Sequence, residues 1–442
     1  MNFLKRLFGP QPAPPVASVR NPYIVGGWVV GSNYYGHARL RRNLLSGSND
    51  YIWVIGTRRV GKTSLLRQLA LKASTEYIPI YWDMQGCQTE FDLSQELFYA
   101  IEDQRKLFAK LDYMVSPLEG ADIGKLLRSI SRVADEHNRR ILLLIDETEA
   151  LMPIVEADAL VARRLRSAFQ RPTNLRVVLS STKTLARLHH TSQQWPTSSF
   201  LHMFSPHYLS GLAPFESAAL IRQTQAKRSV HASDEVVEAI QFHTNNHPYL
   251  LQWLCSRLFQ DDNSLRMPTE ADLDCDPMLD SLFALKFMHL SPSERQIILL
   301  VHETGPISGD ALAEALGFSQ DEVRTYLYDL SRLGYTRQVD QSSQITISDS
   351  FFQDWLDANA DELPVTDLVV PDDLVKEIAA AGREGEESSL LRQLQRHRIN
   401  LARLELKAAG HGAFPPLHIQ NEIDIHQEKI KSIEQRLDAL HI

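Results

Sequence analysis

The residues able to do chemistry in this chain are concentrated at two places. The first is Gly56-Thr57-Arg58-Arg59-Val60-Gly61-Lys62-Thr63-Ser64, which satisfies G-x-x-x-x-G-K-[ST] at Gly56, Gly61, Lys62 and Thr63. Glycines let such a loop curl so that backbone N–H groups converge on phosphate oxygens, and a helix N-terminus behind the loop favours negative charge. The pattern points to a nucleoside triphosphate: Lys62 would reach the β- and γ-phosphates, the Thr63 hydroxyl would ligate Mg²⁺, and Ser64 would lie near the α-phosphate. The second place is Asp146-Glu147, directly after the apolar run Ile141–Ile145. Asp146 would hold Mg²⁺ through water, and Glu147 would orient or deprotonate the water that attacks the γ-phosphate.

The elements that must position these groups follow from hydropathy. Residues 51–55 read as a strand that enters the loop, and an amphipathic helix leaves it. Ile141–Ile145 has no polar alternation, the mark of a central strand covered on both faces. Strands recur at 51–55, 77–82, 140–145, 175–180 and 204–209 with helical patterns between them, which predicts an α/β fold around a parallel sheet. Ligands of such sheets sit at the carboxyl ends of the strands, where Asp146 and Glu147 fall.

From about 214 the strands stop: helices are expected over 214–260 and a polar, acidic linker over 261–280. Residues 291–356 read as three helices, the first capped by Ser291 and Glu294, followed by two short strands, the order of a winged helix. Apolar residues then recur in heptads at Leu390, Leu394, Leu401 and Leu404, and again at Ile419, Ile423, Ile430, Ile433 and Leu437, on either side of a Gly/Pro break at 409–416. Two such helices make an antiparallel hairpin. Folding the chain about position 412 sets Leu394 against Ile430, Leu401 against Ile423, and His397 against His426 as a polar layer in the seam.

Composition narrows the class. A chain of 442 residues exceeds one ordinary core, and 43% hydrophobic with 23% charged residues is the balance of a soluble globular protein. No apolar stretch is long enough to span a bilayer, and the charged N-terminal segment is too short for a signal peptide. Three widely spaced cysteines, Cys87, Cys255 and Cys275, argue for a reducing, cytoplasmic setting without disulfides or zinc. A net charge of −9 disfavours a whole-protein nucleic-acid footprint but leaves a local patch open.

The segments 56–64 and 141–147, the polar strand end Ser180-Ser181-Thr182, and the following helices plus winged helix together resemble the AAA+ superclass, in particular its signal-transduction (STAND) branch and the related origin-recognition ATPases. The resemblance covers roughly 21–360. It implies an ATPase that binds ATP or ADP with Mg²⁺. Asn245-Asn246-His247-Pro248-Tyr249 resembles the lid motif whose proline packs on adenine, which makes Pro248 and Tyr249 adenine-side candidates. Residues 34–37 resemble the Tyr-Gly-Arg element that touches the base; Tyr35 is the candidate, and His37 stands in the arginine position. A polar sensor near the γ-phosphate is implied among Ser180, Ser181 and Thr182, with Ser181 and Thr182 preferred. An arginine finger would come from Arg171, or from Arg163, Arg164 or Arg166 on the helix before it. The histidine that many STAND switches carry late in the winged helix is missing from 345–352.

The expected organisation is a flexible tail (1–20), a P-loop ATPase core (21–211), a helical lid and linker (212–280), a winged helix (281–360), an acidic linker (361–388) and the helical hairpin (389–442). The resemblance implies an ATP-dependent, slowly hydrolysing switch that forms a homo-oligomer in its ATP state and recruits a protein partner through the hairpin, in bacterial defence or conflict signalling. The alternative is a DNA-associated ATPase of the initiator or transposition-regulator type that uses the winged helix on DNA. Against it, Gln320–Arg332 carries Asp321, Glu322 and Asp329 beside Arg324 and Arg332, and so lacks a basic surplus. Asp83-x-x-Gly86 hints at a GTPase, but no Asn-Lys-x-Asp motif follows; His243 and His247 have zinc-like spacing without a third ligand.

Overall fold

The computed structural model describes residues 20–188, 200–339, 342–364, 370–409 and 417–441; the expected flexible tail, Arg20 apart, and the turn of the hairpin lie outside them. Five parallel strands, β1 (Tyr51–Ile55), β2 (Tyr77–Asp83), β3 (Arg140–Asp146), β4 (Leu175–Ser181) and β5 (Ser205–Tyr208), form a sheet in the order β2-β3-β4-β1-β5. All five lie where hydropathy placed them. β5 pairs only with β1, and an edge strand tolerates Pro206 because one side of its backbone needs no partner.

Successive side chains of a strand point to opposite faces, and here both faces are covered. Ile52, Val54, Leu142, Leu144 and Val178 pack with Leu44 of α1 (Ala38–Ser46) and with Leu65, Leu66 and Leu69 of α2 (Lys62–Lys72). Trp53, Ile80, Leu143 and Leu179 belong to the larger core formed with α3 (Glu90–Glu102), α4 (Ile123–Glu136) and α5 (Leu160–Gln170). This double cover explains why β3 reads as an unbroken apolar run.

Three helices follow, α6 (Pro214–Ile221), α7 (Asp234–Thr244) and α8 (Pro248–Leu258). The stretch 261–280, expected as a polar linker, is folded for much of its length: Phe259 bridges Leu265, His231 bridges Ser264, and Trp253 Nε1 donates to Asp276 at 2.9 Å. The second module contains α9 (Pro277–Met288), α10 (Pro292–Thr304), α11 (Gly309–Leu316), α12 (Gln320–Arg332) and α13 (Ser350–Asn359). Its antiparallel sheet, β6 (Ile307–Ser308), β7 (Thr336–Gln338) and β8 (Gln344–Ile347), runs β6-β8-β7. Ser291 and Glu294 form the expected capping box at the start of α10.

The acidic linker expected over 361–388 is corrected by α14 (Asp372–Ala409), a 38-residue helix that starts inside it. Its charges are used in docking rather than solvation: Lys376 pairs with Glu322 at 2.5 Å, Glu386 with Arg332 at 2.6 Å, and Asp372 accepts from Ser293. α15 (Leu417–His441) lies antiparallel to α14, with His397 Nδ1 2.8 Å from His426 Nδ1 and Arg398 paired with Glu434, so the hairpin register read from the heptads holds.

One buried charge cluster joins the two modules. Lys183, just past β4, is enclosed with Glu294 of α10 and Asp329 of α12: its Nζ donates to Glu294 Oε1 at 2.6 Å and to Asp329 Oδ2 at 3.0 Å. Tyr208 of β5 donates to Asp329 Oδ1 at 2.7 Å. Burial works against the Lys183 charge, but the two carboxylates outweigh it and hold its pKa up. With one cation for two carboxylates, burial and the neighbouring Asp329 push Glu294 up to about 8. The sign of the pH dependence follows. An unfolded Glu titrates near 4.3, so the native state binds this proton more tightly, and the stabilisation present below about pH 4.3 is lost as pH rises through the folded value. Thermal stability of the wild type is therefore expected to fall between about pH 6.5 and 8.5 more steeply than that of Glu294→Gln, which has nothing to ionise there. Parallel melting curves across that range would contradict the shared proton.

Candidate functional site

The carboxyl ends of β1, β2, β3 and β4 open on one cavity of about 920 Å³, closed from the other sides by residues 24–37, by α8 and by α9. The loop between β1 and α2 forms its floor. A side chain at Gly56 would put a Cβ 2.7 Å from Val60 Cγ1 and 3.2 Å from Leu209 O, and Gly61 has φ +104 at the start of α2. Only glycine satisfies both positions at low cost. Arg58, Arg59, Val60, Gly61, Lys62, Thr63 and Ser64 line the cavity, whereas Gly56 and Thr57 lie beneath it. The Ser64 hydroxyl accepts from Val29 N at 3.0 Å, and Gln68 Oε1 accepts from Gly31 N at 2.8 Å, which lays the N-terminal segment across the first turns of α2.

Lys62 Nζ donates to the carbonyls of Gly56 and Thr57, both at 3.0 Å. Its burial lowers its pKa, opposed by the charges of Glu149, Glu147 and Asp146. Facing it, Asp146 is buried and held on both oxygens: Ser180 Oγ donates to Oδ1 at 2.5 Å, Glu147 N to Oδ1 at 3.1 Å, and Tyr81 OH to Oδ2 at 2.8 Å. Glu147 turns out of β3 at φ 50, a left-handed conformation costly for a non-glycine residue, with its side chain at the cavity. Partial burial, then the charges of Glu149 and Asp146, raise its pKa toward the range suited to a general base.

The other sequence candidates divide. Thr182 lines the cavity, and its N–H is bonded by Glu149. Ser181 points away from it, accepting from Trp53 Nε1 at 2.7 Å; Ser180, on the carboxylate of Asp146, takes the place nearer the chemistry. Pro248 and Tyr249 reach the cavity because Asn245 and Asn246 both turn left-handed and Pro248 then starts α8, while Leu212 N donates to Asn246 O at 2.9 Å. The Arg59 guanidinium stacks 4.5 Å from the Tyr249 ring centre, joining loop to lid. Tyr35 and His37 also line the cavity; Tyr35 OH accepts from Gln225 N at 3.0 Å. Arg171 does not join the site of its own chain: it precedes β4, about 20 Å of strand from the polar end. His243 lies in α7 and His247 in the turn before α8; His243 contacts Ser350, burial pushes His247 down to about 3, and no cluster of metal-binding side chains occurs among the described residues.

Several residues at the cavity carry no site role in the sequence reading, where Asp83 enters only through the Asp83-x-x-Gly86 spacing. Asp83 ends β2 in register with Asp146 and could have been found by the strand-end logic applied to Asp146. Glu149 is returned to the site by the turn Thr148–Ala150, with Thr148 Oγ1 donating to Ser180 O at 2.9 Å. Arg67 lies between Trp28 and Tyr81, 4.5 and 4.2 Å from their ring centres. His289, at the end of α9, is pushed down to about 4 by burial and by the charges of Arg58, Lys183 and Lys62; no local pattern announces it.

The donors fit a hard cation and a polyphosphate. Thr63 and Asp146 offer oxygen ligands of the kind Mg²⁺ takes, and Lys62, Arg58 and the start of α2 offer positive charge. Tyr81 fixes the rotamer of Asp146 through one hydrogen bond. Tyr81→Phe is expected to raise the Mg²⁺ concentration for half-maximal turnover about 10-fold while leaving Mg²⁺-free nucleotide affinity unchanged. An unaltered Mg²⁺ requirement would remove Tyr81 from this role.

Residues 47–189 match the AAA domain family. Among solved structures, a Walker-type ATPase of Pyrococcus abyssi is similar at 16% identity over 73% of this chain and 96% of that one, with a TM-score of 0.50. The ORC2 protein of Aeropyrum pernix, solved in ADPNP and ADP complexes, shows 14% identity over 79% and 97% of the two chains, with a TM-score of 0.41. The RuvB Holliday junction branch migration motor of Thermotoga maritima shows 16% identity over 75% and 96%, with a TM-score of 0.36. At these identities the likeness is one of fold, and only the first reaches a TM-score that carries it. No curated protein matches the sequence.

Proposed function

We propose, from the premise that residues 47–189 are an AAA-type P-loop ATPase domain, that the whole chain is a STAND-like switch in which ATP in the cavity sets the position of the second module and the hairpin. The observation that carries this reading is the position of Lys183. It follows Thr182 at the polar end of β4, and its ammonium is shared between α10 and α12 of the second module. A shift of Thr182 on binding a γ-phosphate would thus pull directly on a buried ion cluster that holds the other half of the protein.

In this reading the loop amides and Lys62 hold the phosphates, Thr63 and Asp146 hold Mg²⁺, and Pro248, Tyr249 and Tyr35 form the adenine side. Mg²⁺ would neutralise charge on the phosphates. Glu147 accepts the proton of the attacking water, its raised pKa suiting it to that transfer. Thr182 is the sensor, and an arginine such as Arg171 would be supplied by a neighbouring copy. The second module is read as a winged helix and the hairpin as the element that recruits a protein partner. A defence or conflict-signalling setting goes with this reading through the STAND resemblance.

DNA binding through the second module is placed second because its basic side chains are already engaged. Arg332 pairs with Glu386 of α14, Arg324 lies 3.7 Å from Asp321, and the Arg337 guanidinium sits 4.9 Å from the Phe242 ring centre.

Lys62→Ala is expected to abolish binding of adenine nucleotide, whereas Glu147→Gln keeps binding and loses roughly 100-fold or more in turnover. Hydrogen exchange in α10 and α12 should differ between ATP-loaded Glu147→Gln and its ADP form, and the difference should vanish in Glu147→Gln/Lys183→Met. Wild-type nucleotide affinity in Lys62→Ala would refute the site; a nucleotide effect on α10 that survives loss of Lys183 would refute the coupling.

A further inference from the structure

The outer face of α14 carries a charge pattern that nothing in the ATPase site uses. At 100° per residue, Arg392, Arg396, Arg403 and Lys407 fall within an arc of about 60° and run about 22 Å along the helix. This arc lies opposite the seam formed by Leu390, Leu394 and His397 with α15. All four side chains are exposed and none is in an ion pair among the described residues. Ile399, midway along the stripe and about 20° beyond its edge, is 47% exposed. Arg392/Arg396 and Arg403/Lys407 are like-charge pairs at i, i+4, a spacing that destabilises an isolated helix, and no acid stands in the arc to relieve them.

The complement stands on the other helix. The face of α15 turned away from the seam presents Asp424 and Glu428, again an i, i+4 like-charge pair, exposed and outside any ion pair among the described residues, with one cation, Lys431, on the same face a turn beyond Glu428. α15 packs chiefly on α14, so this face is free of the rest of the molecule. The antiparallel register that sets His397 beside His426 puts Glu428 level with about residue 395 and Asp424 level with about residue 399. Asp424 therefore stands within the Arg396 to Arg403 interval and Glu428 about one residue short of it.

We propose that the hairpin is a head-to-tail self-association module, in which the Arg396/Arg403 stripe of one copy docks on the Asp424/Glu428 face of the next, around Ile399. The occupant is a second copy of this chain because the two faces are complementary in sign, matched in height and lie on opposite sides of one hairpin. Two different patches in contact make a heterologous interface, which propagates into a ring or an open array rather than stopping at a dimer. The inference stands on the hairpin's own side chains and not on the nucleotide reading.

A charge swap in the full-length protein tests it, with mass in solution measured at low and high salt, with and without ATP and Mg²⁺. The wild type is expected to associate with rising concentration and to dissociate in high salt. Arg396→Glu/Arg403→Glu and Asp424→Lys/Glu428→Lys should each weaken association at least 10-fold, while an equimolar mixture of the two, and the quadruple variant, should recover it. Unchanged nucleotide binding by each variant shows that the fold is intact. A monomeric wild type in every condition, unaltered association in either double variant, or failure of the mixture to recover would overturn the proposal. So would a monomeric wild type that binds duplex DNA through these arginines.

Discussion

The arrangement of the two modules depends on where one ammonium group is buried. Lys183 is buried and, among the described residues, shares its carboxylates with no other cation; it is enclosed by groups from β5, α10 and α12. Once it follows β4, Glu294 and Asp329 have to meet it, because a lone buried charge is far costlier than a paired one. Breaking such a contact costs about 3–5 kcal/mol. Moving a two-state equilibrium from 1:99 to 99:1 takes about 5.5 kcal/mol of differential binding, about two-thirds of the roughly 8 kcal/mol of a micromolar ligand. A contact of that size is strong enough to hold one arrangement of the two modules. The shared proton on Glu294 sets its strength near neutral pH.

The cavity, in turn, depends on the sheet being parallel. Four strand ends deliver Gly56, Asp83, Asp146 and Thr182 to one edge, so carboxylate oxygens and the loop between β1 and α2 converge without any long-range tuning. Fine positioning comes from hydrogen bonds between strands: Ser180 and Tyr81, from β4 and β2, hold the Asp146 carboxylate of β3 from two sides. Burial, then the opposing charges of Glu149 and Asp146, raises the Glu147 pKa, and Lys62 across the loop relieves it.

What could be read from the sequence and what could not separate along a physical line. β1, β3, the phosphate loop and the Asp146-Glu147 pair announce themselves because each is a local pattern whose chemistry and conformation coincide. The hairpin register was legible for the same reason: a heptad seam fixes its own alignment, and His397 meets His426. Ser181 was misread because alternation along β4 decides which of three adjacent hydroxyls meets the site, and Trp53 claims that one. His289 and Lys183 were invisible because their roles depend on contacts more than 100 residues away in sequence, as the Lys183 bond to Glu294 shows. The stretch 361–388 reads as a linker because its acids look like solvation; in the folded chain Asp372 and Glu386 each bond a residue of the second module.

That last misreading changes what the C-terminal helices can do. A hairpin on a flexible linker would sample many positions, and its location would carry no information about the core. α14 is instead one continuous helix of 38 residues, about 57 Å long. Its first turns are fastened to α10 and α12, the two helices that also hold Lys183. Gly382 permits close approach to the core at a critical point, since a side chain there would meet the Tyr208 ring at 2.7 Å, and Tyr208 donates to Asp329. The helix therefore rests on the charge cluster itself. A rotation of a few degrees at α12 becomes a displacement of several ångströms at the far end of a rod of that length. A continuous helix docked in this way ties the position of the hairpin to α10 and α12, which a tether would not do.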